Sequence, residues 1–287
     1  MRYWQAVTWT EPEQLLDVVR HAEDVGFDGV MLGDHGVYPR DVSTPYPYTP
    51  DGKSPMRHDD FFPDCWATIG ALAAVTSRIR LTVAIYILPL RNVFEVARAT
   101  GTLSILSNGR FLLGAGLGWM KEEFDIYGVD FRTRGARCDE MIEVLRKLWQ
   151  GGIVEHKGKH IEFPPLEISP APPAPVRIYT GGNSMAALRR AARLGDGWIG
   201  AGHAPEELPE LIALLSRLRE EAGRAHHPFE IVGAVRTPPD LQTFRQLEDF
   251  GVHTTVNYPF RFTLGERSTL AEKKKEMDRF AAKFIQH

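Results

Sequence analysis

The sequence predicts an α/β protein folded as a (β/α)8 barrel. Eight strand-like segments alternate with eight helical segments, and several of the strand-like segments are continuous apolar runs. Such runs are typical of parallel strands that are buried on both faces. The chain of 287 residues is long enough for this fold, which usually needs about 250. A doubly wound sheet is the alternative, but it does not usually require eight strict alternations. We therefore expect residues 1–287 to form a single barrel domain.

The strand-like segments are short and rich in apolar and β-branched residues. In chain order they are 2–9 (RYWQAVTW), 27–33 (FDGVMLG), 79–87 (IRLTVAIYI), 110–115 (RFLLGA), 176–180 (VRIYT), 197–201 (GWIGA), 229–235 (FEIVGAV) and 252–258 (VHTTVNY). In a parallel barrel the carboxyl ends of the strands share one face, and the active site lies on that face.

The segments between the strands have apolar residues three or four positions apart, as amphipathic helices do. In the first, 11–26, this spacing is followed by a glycine that can cap the helix: Leu15, Val18, Val19, Ala22, Val25 and Gly26. The other predicted helices are 64–76, 91–107, 138–149, 184–195, 207–223, 240–251 and 268–285. Those at 64–76 and 91–107 are apolar around much of their circumference. This pattern predicts burial against both the barrel and a second copy, and hence a homodimer.

Two long segments interrupt the alternation. Residues 34–63, rich in Pro and Tyr, follow the second strand and therefore lie at the predicted active face, where they could form a lid or a substrate wall. Residues 151–175 precede the fifth strand, and we expect them to hold a small hairpin that turns at Lys157-Gly158.

Composition excludes several classes of protein. The formal net charge of −3 offers no broad basic face, so no nucleic-acid partner is expected. The two cysteines, Cys65 and Cys138, form no Cys-x-x-Cys pair, which argues against a disulfide framework or a structural zinc site. No signal-peptide pattern and no apolar run long enough to span a bilayer is present. We expect a cytoplasmic protein with no membrane partner.

The stretch GRFLLGAGLGW, residues 109–119, resembles a dinucleotide-binding loop only superficially. In the G-x-G-x-x-G fingerprint the third glycine lets a helix pack on the strand, and Trp119 stands in its place. No acidic residue closes a following strand about 20 residues on, as the ribose contact would require. The run of bare backbone nevertheless predicts that some group approaches this strand end closely.

Five motifs together carry a family resemblance. They are GDH (33–35), LPLRN (88–92), LSNGRFLLGAGLGW (106–119), FRTRGARCDEMIEVLRKLW (131–149) and IYTGGNSMAALRRAARLGDGW (178–198). In this order they resemble the bacterial-luciferase-like superfamily, and within it the oxidoreductases that depend on coenzyme F420, a deazaflavin. The resemblance covers roughly residues 1–200. It implies hydride transfer between F420 and a small organic substrate, with an FMN-dependent monooxygenase as the alternative within the family.

The resemblance also implies roles for residues at the ends of the second and third strands. Asp34 would contact the head group of the deazaflavin. His35 would lie near the redox carbon as the proton-transfer partner of the substrate, a role that suits histidine because it titrates near neutral pH. Relatives carry a non-proline cis peptide behind the tricyclic ring, and alignment on Pro89 and Arg91 puts that bond at Ala84–Ile85.

The remaining cofactor contacts follow the fourth and fifth strands. Gly114, Gly116 and Gly118 would leave room for the side chain and ring edge of the cofactor, next to Trp119. Sugar-phosphate and alcohol dehydrogenases of this branch carry a glutamate where Trp119 stands, so their acid–base scheme does not transfer. We interpret the nearby Glu122 and Glu123 as surface residues that complement a helix dipole.

A fourth group of predicted cofactor residues precedes a helix. The fifth strand is followed directly by the start of a helix, and the residues at this junction are Thr180, Gly181, Gly182 and Asn183. The free backbone N–H groups of a helix start can form an anion site. We expect the phosphodiester of the cofactor there, although a plain capped helix would have the same sequence.

A metal-dependent hydrolase or isomerase is the alternative from another class, since metal-ligand residue types are present: His35, His58, Asp59, Asp60 and His203. The first strand ends in Val7-Thr8-Trp9 rather than in H-x-H, and 58–60 are consecutive loop residues, so we expect no metal. A non-catalytic cofactor carrier is a further alternative, which would not need His35.

The substrate itself is not determined by the sequence. An apolar, aromatic wall is suggested by Tyr46, Tyr48, Phe61, Phe62, Trp66 and Trp119. Arg236 and Arg261 could anchor an anionic substrate or form surface salt bridges.

Overall fold

The computed structural model describes residues 1–236 and 240–286 and contains the predicted parallel barrel. Its strands are β1 (Arg2–Ala6), β2 (Gly29–Leu32), β3 (Arg80–Ile87), β4 (Phe111–Gly116), β5 (Val154–Lys157), β6 (Glu162–Leu166), β7 (Arg177–Gly181), β8 (Gly197–His203), β9 (Glu230–Val235) and β10 (Thr254–Asn257). All except β5 and β6 close into a barrel in the order β1-β10-β9-β8-β7-β4-β3-β2. The (β/α)8 prediction is therefore confirmed.

The helices follow the strands as expected, with two short additions. They are α1 (Leu15–Val25), α2 (Cys65–Val75), α3 (Val93–Leu106), α4 (Lys121–Ile126), α5 (Arg134–Leu148), α6 (Met185–Leu194), α7 (Leu208–Glu221), α8 (Leu241–Asp249), α9 (Arg261–Leu264) and α10 (Leu270–Phe280). The sequence indicated only a helix start at Glu122 and Glu123 for α4, without a range, and it did not indicate α9. None of the described helices is both long and apolar enough to cross a bilayer.

Two predicted boundaries were wrong for identifiable reasons. The first strand ends at Ala6 rather than at residue 9, and Trp9 has a φ of 64°, a left-handed conformation that a strand does not contain. The fifth helix begins at Arg134 rather than at residue 138. Asp130 caps the 3₁₀ turn Phe131–Thr133, which runs directly into α5 and so extends it towards the amino terminus.

The interior of the barrel is filled by large apolar side chains. One cluster joins residues of five strands: Trp4, Leu112, Tyr179, Ile199 and Val232. The rings of Trp4 and Tyr179 stack with their centroids 6.5 Å apart. Because these side chains fill the middle of the barrel, a ligand cavity can form only at the ends of the barrel.

The amino ends of the strands are joined by charges around Glu230. The carboxylate of Glu230, at the start of β9, pairs with the guanidinium groups of Arg2, Arg80 and Arg177 on three other strands. Burial opposes its ionisation, but interactions with the Tyr179 hydroxyl and with Arg80 and Arg2 outweigh burial and lower the pKa of Glu230 to about 2. This end of the barrel is therefore held by a charge network.

Both long interruptions are where the sequence placed them. Residues 34–63 connect β2 to α2 without a helix or strand of their own; we call this segment the excursion. In the second interruption, β5 and β6 form an antiparallel hairpin whose turn is closed by the N–H of Gly158 donating to the carbonyl of Ile161 at 2.9 Å. The predicted hairpin is confirmed, and the excursion lies at the carboxyl face.

Candidate active site

A cavity of about 980 Å³ opens at the carboxyl ends of the barrel strands. The excursion forms one wall of the cavity, and strand ends together with the loops after β1, β4, β7, β8, β9 and β10 form the rest. Most of the predicted site residues line it: Asp34, His35, Ala84, Ile85, Gly118, Trp119, Gly181, Gly182 and Asn183. The sequence therefore located the cavity correctly, although Gly114, Gly116 and Thr180 are not among the residues that line it.

The floor of the cavity is a bulge in β3. The peptide bond between Ala84 and Ile85 is cis, at the predicted position, and the register between β3 and β4 shifts between Ala84 and Tyr86. A Cβ atom at Gly116 would overlap the side chain of Ile85, and one at Gly114 would overlap the carbonyl of Val83. The close approach expected at this glycine run therefore occurs.

The approaching group at Gly114 and Gly116 is, however, the protein's own β3, so the prediction that these glycines leave room for a cofactor was wrong. Gly118 differs from them, because it lines the cavity and has a φ of +74°. Thr180 is 1% exposed, with its side chain held inside the wall.

His35 is held by a buried carboxylate. Nδ1 of His35 donates to Oε2 of Glu123 at 2.9 Å, and the side chains are 10% and 1% exposed. Oε1 of Glu123 accepts from the N–H of Gly36 at 2.8 Å and of Val37 at 3.4 Å. Because a carboxylate only accepts, the neutral imidazole carries its hydrogen on Nδ1 and has Nε2 available as an acceptor.

Glu123 is the functional residue that sequence reasoning missed. Its interpretation as a surface residue was wrong, because the first turn of α4 turns it inward beneath the excursion. A usable signal was present: α4 directly follows the glycine run at the end of β4, and a carboxylate just after a barrel strand lies on the active face.

Glu122, next to it, fastens the excursion. Its carboxylate accepts from the backbone N–H groups of Ser43 and Thr44 at 2.8 and 3.0 Å, and from both hydroxyl groups at 2.7 and 2.8 Å. Burial opposes ionisation, but these hydrogen bonds outweigh it and lower the pKa of Glu122 to about 2. The predicted place of Glu122 at a helix start is confirmed, and its four donors from the excursion are an addition that the sequence did not indicate.

Asp34 connects the ends of β2 and β3. Its carboxylate accepts from Nη2 of Arg91 at 2.8 and 2.9 Å and from the N–H of Ile87 at 2.9 Å. The thiol of Cys65 lies 3.6 Å from Oδ1, and burial together with Asp34 raises the pKa of that thiol. Asp34 lines the cavity, but its acceptor positions are used within the protein; direct contact with a cofactor stays a prediction.

The start of α6 forms a second polar corner. Ser184 caps the helix by accepting from the N–H of Ala187, and the amide of Asn183 is fixed by Ala201 and by Nε2 of His203. Arg134 lines the cavity, and its guanidinium lies 3.6 Å from the ring centre of Phe131. A helix start beside an arginine can bind an anion.

The aromatic residues divide between the cavity and the core. Tyr46, Tyr48, Phe62 and Trp119 line the cavity, whereas Phe61 and Trp66 do not. Trp66 packs on Tyr86 with ring centroids 4.3 Å apart, and Phe61 lies beneath the guanidinium of Arg267. The suggested place of Phe61 and Trp66 in the wall was therefore wrong.

The two arginines suggested as anion anchors also differ in whether they line the cavity. Arg236 lines the cavity and pairs with Glu207 at 2.9 Å, while Arg261 forms a buried ion pair with Asp60 and does not line it. The surface salt bridge of the alternative is observed at Arg236, whereas the ion pair of Arg261 is buried.

The residues of the metal alternative do not converge. Asp59 pairs with Arg57 and Arg267, and His58 packs against the ring of Tyr38. His203 lies between Asn183 and Glu207. Within the described residues, no three His, Cys, Asp or Glu side chains lie close enough together to hold a metal ion.

The family is decided by comparison with a family model. The model described as luciferase-like monooxygenase matches residues 4–238, which is most of the chain. The chain belongs to the luciferase-like monooxygenase family. The resemblance carried by the five sequence motifs is thereby confirmed at the level of the family.

Relatives in sequence support the assignment. An uncharacterized protein of Mycobacterium tuberculosis is 37% identical over 288 residues, covering 99% of each chain. An F420-dependent glucose-6-phosphate dehydrogenase of Amycolatopsis mediterranei is 31% identical over 193 residues, covering 66% of this chain and 53% of that enzyme. The chain thus matches a full-length relative of unassigned function and about half of an F420 enzyme.

Solved structures show the same fold at low sequence identity. An F420-dependent secondary alcohol dehydrogenase, in complex with an F420–acetone adduct, has a TM-score of 0.78 and 17% identity, covering 99% of this chain and 98% of that chain. The oxygenating constituent of 3,6-diketocamphane monooxygenase of Pseudomonas putida, in complex with FMN, has a TM-score of 0.64 and 18% identity, covering 87% and 72%. At these identities the likeness concerns the fold alone.

Proposed function

We propose that the protein is an oxidoreductase that transfers a hydride between coenzyme F420 and a small organic substrate. The observation that carries the proposal is the pairing of His35 with the buried carboxylate of Glu123 at the wall of the strand-end cavity, 2.9 Å apart. An imidazole oriented in this way is suited to exchange a proton with a substrate oxygen. F420-dependent enzymes among the relatives and structural neighbours make this cofactor the first candidate.

The residues at the cavity fit a ring-bearing cofactor with a phosphodiester. The start of α6, with Gly181, Gly182 and Asn183, and the guanidinium of Arg134 would hold the phosphate. Ala84 and Ile85 would support the tricyclic ring from below, and Gly118 and Trp119 would lie along its edge. A volume of about 980 Å³ is at the upper end of what single ligands occupy and leaves space for a substrate as well.

The cofactor, when bound, supplies a redox carbon that gives or accepts a hydride. The chain supplies the proton and the surroundings. In the direction of oxidation, Nε2 of His35 accepts the proton of the substrate hydroxyl, and Glu123 stabilises the imidazolium that results. In the direction of reduction, the same nitrogen returns the proton. Trp119 and Tyr46 limit the access of water.

Titration with F420 and with FMN tests the proposal. Both should be followed by quenching of intrinsic tryptophan fluorescence, because Trp119 lies at the cavity wall. We expect F420 to bind at least tenfold more tightly than FMN. Tight binding of FMN without binding of F420 would overturn the proposal.

The second candidate is an FMN-dependent monooxygenase, favoured by the fold shared with an FMN complex. FMN has a ring and a phosphate that the same cavity could hold, so the titration above decides between the two.

We further propose that residues 1–287 act as one domain in a cytoplasmic homodimer. The outward face of α2 is made of small residues, Ala67, Ala71 and Ala74, and neighbouring α3 exposes Ile105 and Leu106. Contiguous apolar surface of this kind is typical of subunit interfaces. Light scattering at micromolar concentration should give the mass of two chains, and a monomer mass would contradict the proposal.

A further inference from the structure

The excursion side of the cavity is a continuous wall of rings. Tyr46 lies edge-on to Tyr48 and to Trp119, with centroids 5.3 and 5.1 Å apart. Trp119 lies edge-on to His35 at 6.3 Å, and His35 to Phe62 at 5.4 Å. We call these five residues, Tyr48, Tyr46, Trp119, His35 and Phe62, the aromatic compartment. Proton transfer by His35 would take place inside it.

The fixed charges of the cavity lie outside this compartment. Among the described residues that line the cavity, Asp34, Arg134 and Arg236 are the acidic and basic side chains besides the imidazole of His35, and no lysine lines it. Arg134 and Arg236 belong to the side of α6, where a cofactor phosphate is expected. Asp34 is paired with Arg91 at 2.8 Å. An anion inside the compartment would therefore have no lysine or arginine within the described part of its wall.

Three arginines in the neighbouring loops form ion pairs with acidic residues outside the cavity. Arg57 pairs with Glu266, and Arg267 with Asp59. Arg261 is 9% exposed, pairs with Asp60, and lies 4.4 Å from the ring centre of Trp9. These pairs join the end of the excursion to the loop after β10, and none of the three arginines lines the cavity.

The surroundings also disfavour negative charge. Burial, together with the nearby Tyr48, raises the pKa of Tyr46 to about 12, and burial raises that of Tyr48. The same loss of hydration would oppose any carboxylate or phosphate placed beside these phenols.

We infer that the aromatic compartment takes an uncharged ring compound bearing a secondary alcohol or the corresponding ketone, and that it rejects sugar phosphates. This inference rests on the proposed function. On oxidation, the carbinol C–H bond breaks and its hydride passes to oxidised F420, the O–H proton passes to Nε2 of His35, and the C=O bond forms. Reduction by reduced F420 is the reverse. Edge-on rings offer the contacts that planar and alicyclic ligands prefer.

A matched pair of ligands tests the inference. The pair is 4-phenylcyclohexanone and its 4-carboxyphenyl analogue, with glucose 6-phosphate as a third ligand. Binding to the cofactor-loaded protein should be measured by calorimetry. We expect the neutral ketone to bind at least tenfold more tightly than either anion. Equal or tighter binding of an anion, or no binding of the ketone, would overturn the inference.

A charge placed in the wall gives an independent readout. Tyr48→Arg should shift the preference at least tenfold towards the carboxylated analogue. Tyr38→Arg is the matched control, because Tyr38 belongs to the excursion but does not line the cavity, and it should leave the preference unchanged. Circular dichroism would verify that both variants are folded. An equal shift in both variants would overturn the inference.

Failure of the proposed function is distinguishable from failure of this inference. If the protein binds FMN and not F420, yet prefers the neutral ketone, the proposed function is wrong and the inferred preference of the aromatic compartment is supported. If the protein binds F420 but prefers the anions, the inferred preference is wrong and the proposed function is still supported.

Discussion

At the scale of single residues, Glu123 determines what His35 can do. One carboxylate oxygen accepts from the imidazole, and the other accepts from the backbone just after it. Ring orientation and the path of the excursion are therefore fixed by the same side chain. Such a carboxylate stabilises the imidazolium form and holds one tautomer, which is how it would raise the rate without touching the substrate.

Two substitutions should separate these roles. His35→Ala should lower kcat by about 10²–10⁴-fold, the usual contribution of a general acid–base group.

Glu123→Gln removes the charge of the carboxylate but keeps the shape of the side chain, and we expect about 10–100-fold lower kcat with little change in KM. Steady-state kinetics with F420 and a neutral ketone would measure both effects.

Rescue by a shorter carboxylate distinguishes positioning from mere structure. With Glu123→Gln, kcat should fall while KM changes little, since the imidazole loses the carboxylate that orients it. Glu123→Asp should restore part of the rate. A fall in kcat with a matching rise in KM and no rescue would mean that Glu123 only supports the fold. The exposed Glu95→Gln is the matched control.

The sequence predicts His35 but not its partner, for a physical reason. His35 follows a barrel strand directly, so the fold alone assigns it to the active face. Glu123 reaches His35 only through the inward turn of α4, and the path of that short helix depends on contacts with the excursion. Gly116 was misinterpreted because its neighbour, Ile85, approaches through a bulge whose packing the sequence does not display.

At the scale of elements, the excursion is held by contacts along its length. Glu123 binds the backbone of Gly36 at its beginning, and Glu122 binds Ser43 and Thr44. Ion pairs of Asp59 and Asp60 hold its end to the loop after β10. Residues 45–48 between these points line the cavity. The excursion therefore forms a wall despite having no helix or strand, which explains why a Pro- and Tyr-rich segment can carry specificity.

Glu122→Gln should loosen this wall. A hydrogen bond to a charged group contributes about 1.5–3 kcal/mol, so the amides of Ser43 and Thr44 should lose about 10–100-fold of their protection. Hydrogen exchange followed by mass spectrometry would measure this. Glu95→Gln should leave the exchange unchanged, and unaltered protection in Glu122→Gln would show that other contacts hold the segment.

Element order was predictable and short elements were not. The strands and the longer helices follow hydrophobic periodicity, which the sequence displays directly. Two of the described helices lacked a predicted range: α4 (Lys121–Ile126) and α9 (Arg261–Leu264) are too short to show a period. Both lie at the active face, so the details of the site were the least predictable part.

At the scale of the whole molecule, the two ends of the barrel differ in structure. The carboxyl end carries the cavity, and the amino end is held by Glu230 and its arginines. The pKa of Glu230 is about 2 in the folded protein, well below its ordinary value of 4.5, so its ionised form stabilises the fold. That contribution is complete above about pH 4.5 and is lost as the pH falls towards 2.

Glu230→Gln should therefore destabilise the protein at neutral pH. The free energy of unfolding should fall by roughly 3 kcal/mol at pH 7, by linkage of the pKa shift, and the difference from wild type should shrink below pH 4.5. Urea unfolding at pH 7, 4 and 3 would measure it. The exposed Glu220→Gln should have no such effect, and a difference independent of pH would contradict the role of ionisation.

Isotope labels distinguish transfer of a hydride from transfer of oxygen in this barrel. Reduced F420 labelled with deuterium at its redox carbon should be mixed with the protein and 4-phenylcyclohexanone under ¹⁸O₂, with a parallel reaction that contains reduced FMN instead, and the products analysed by mass spectrometry. We expect the F420 reaction to give an alcohol with a single deuterium at the carbinol carbon and no ¹⁸O. A product that contains ¹⁸O, formed only in the FMN reaction, would contradict hydride transfer.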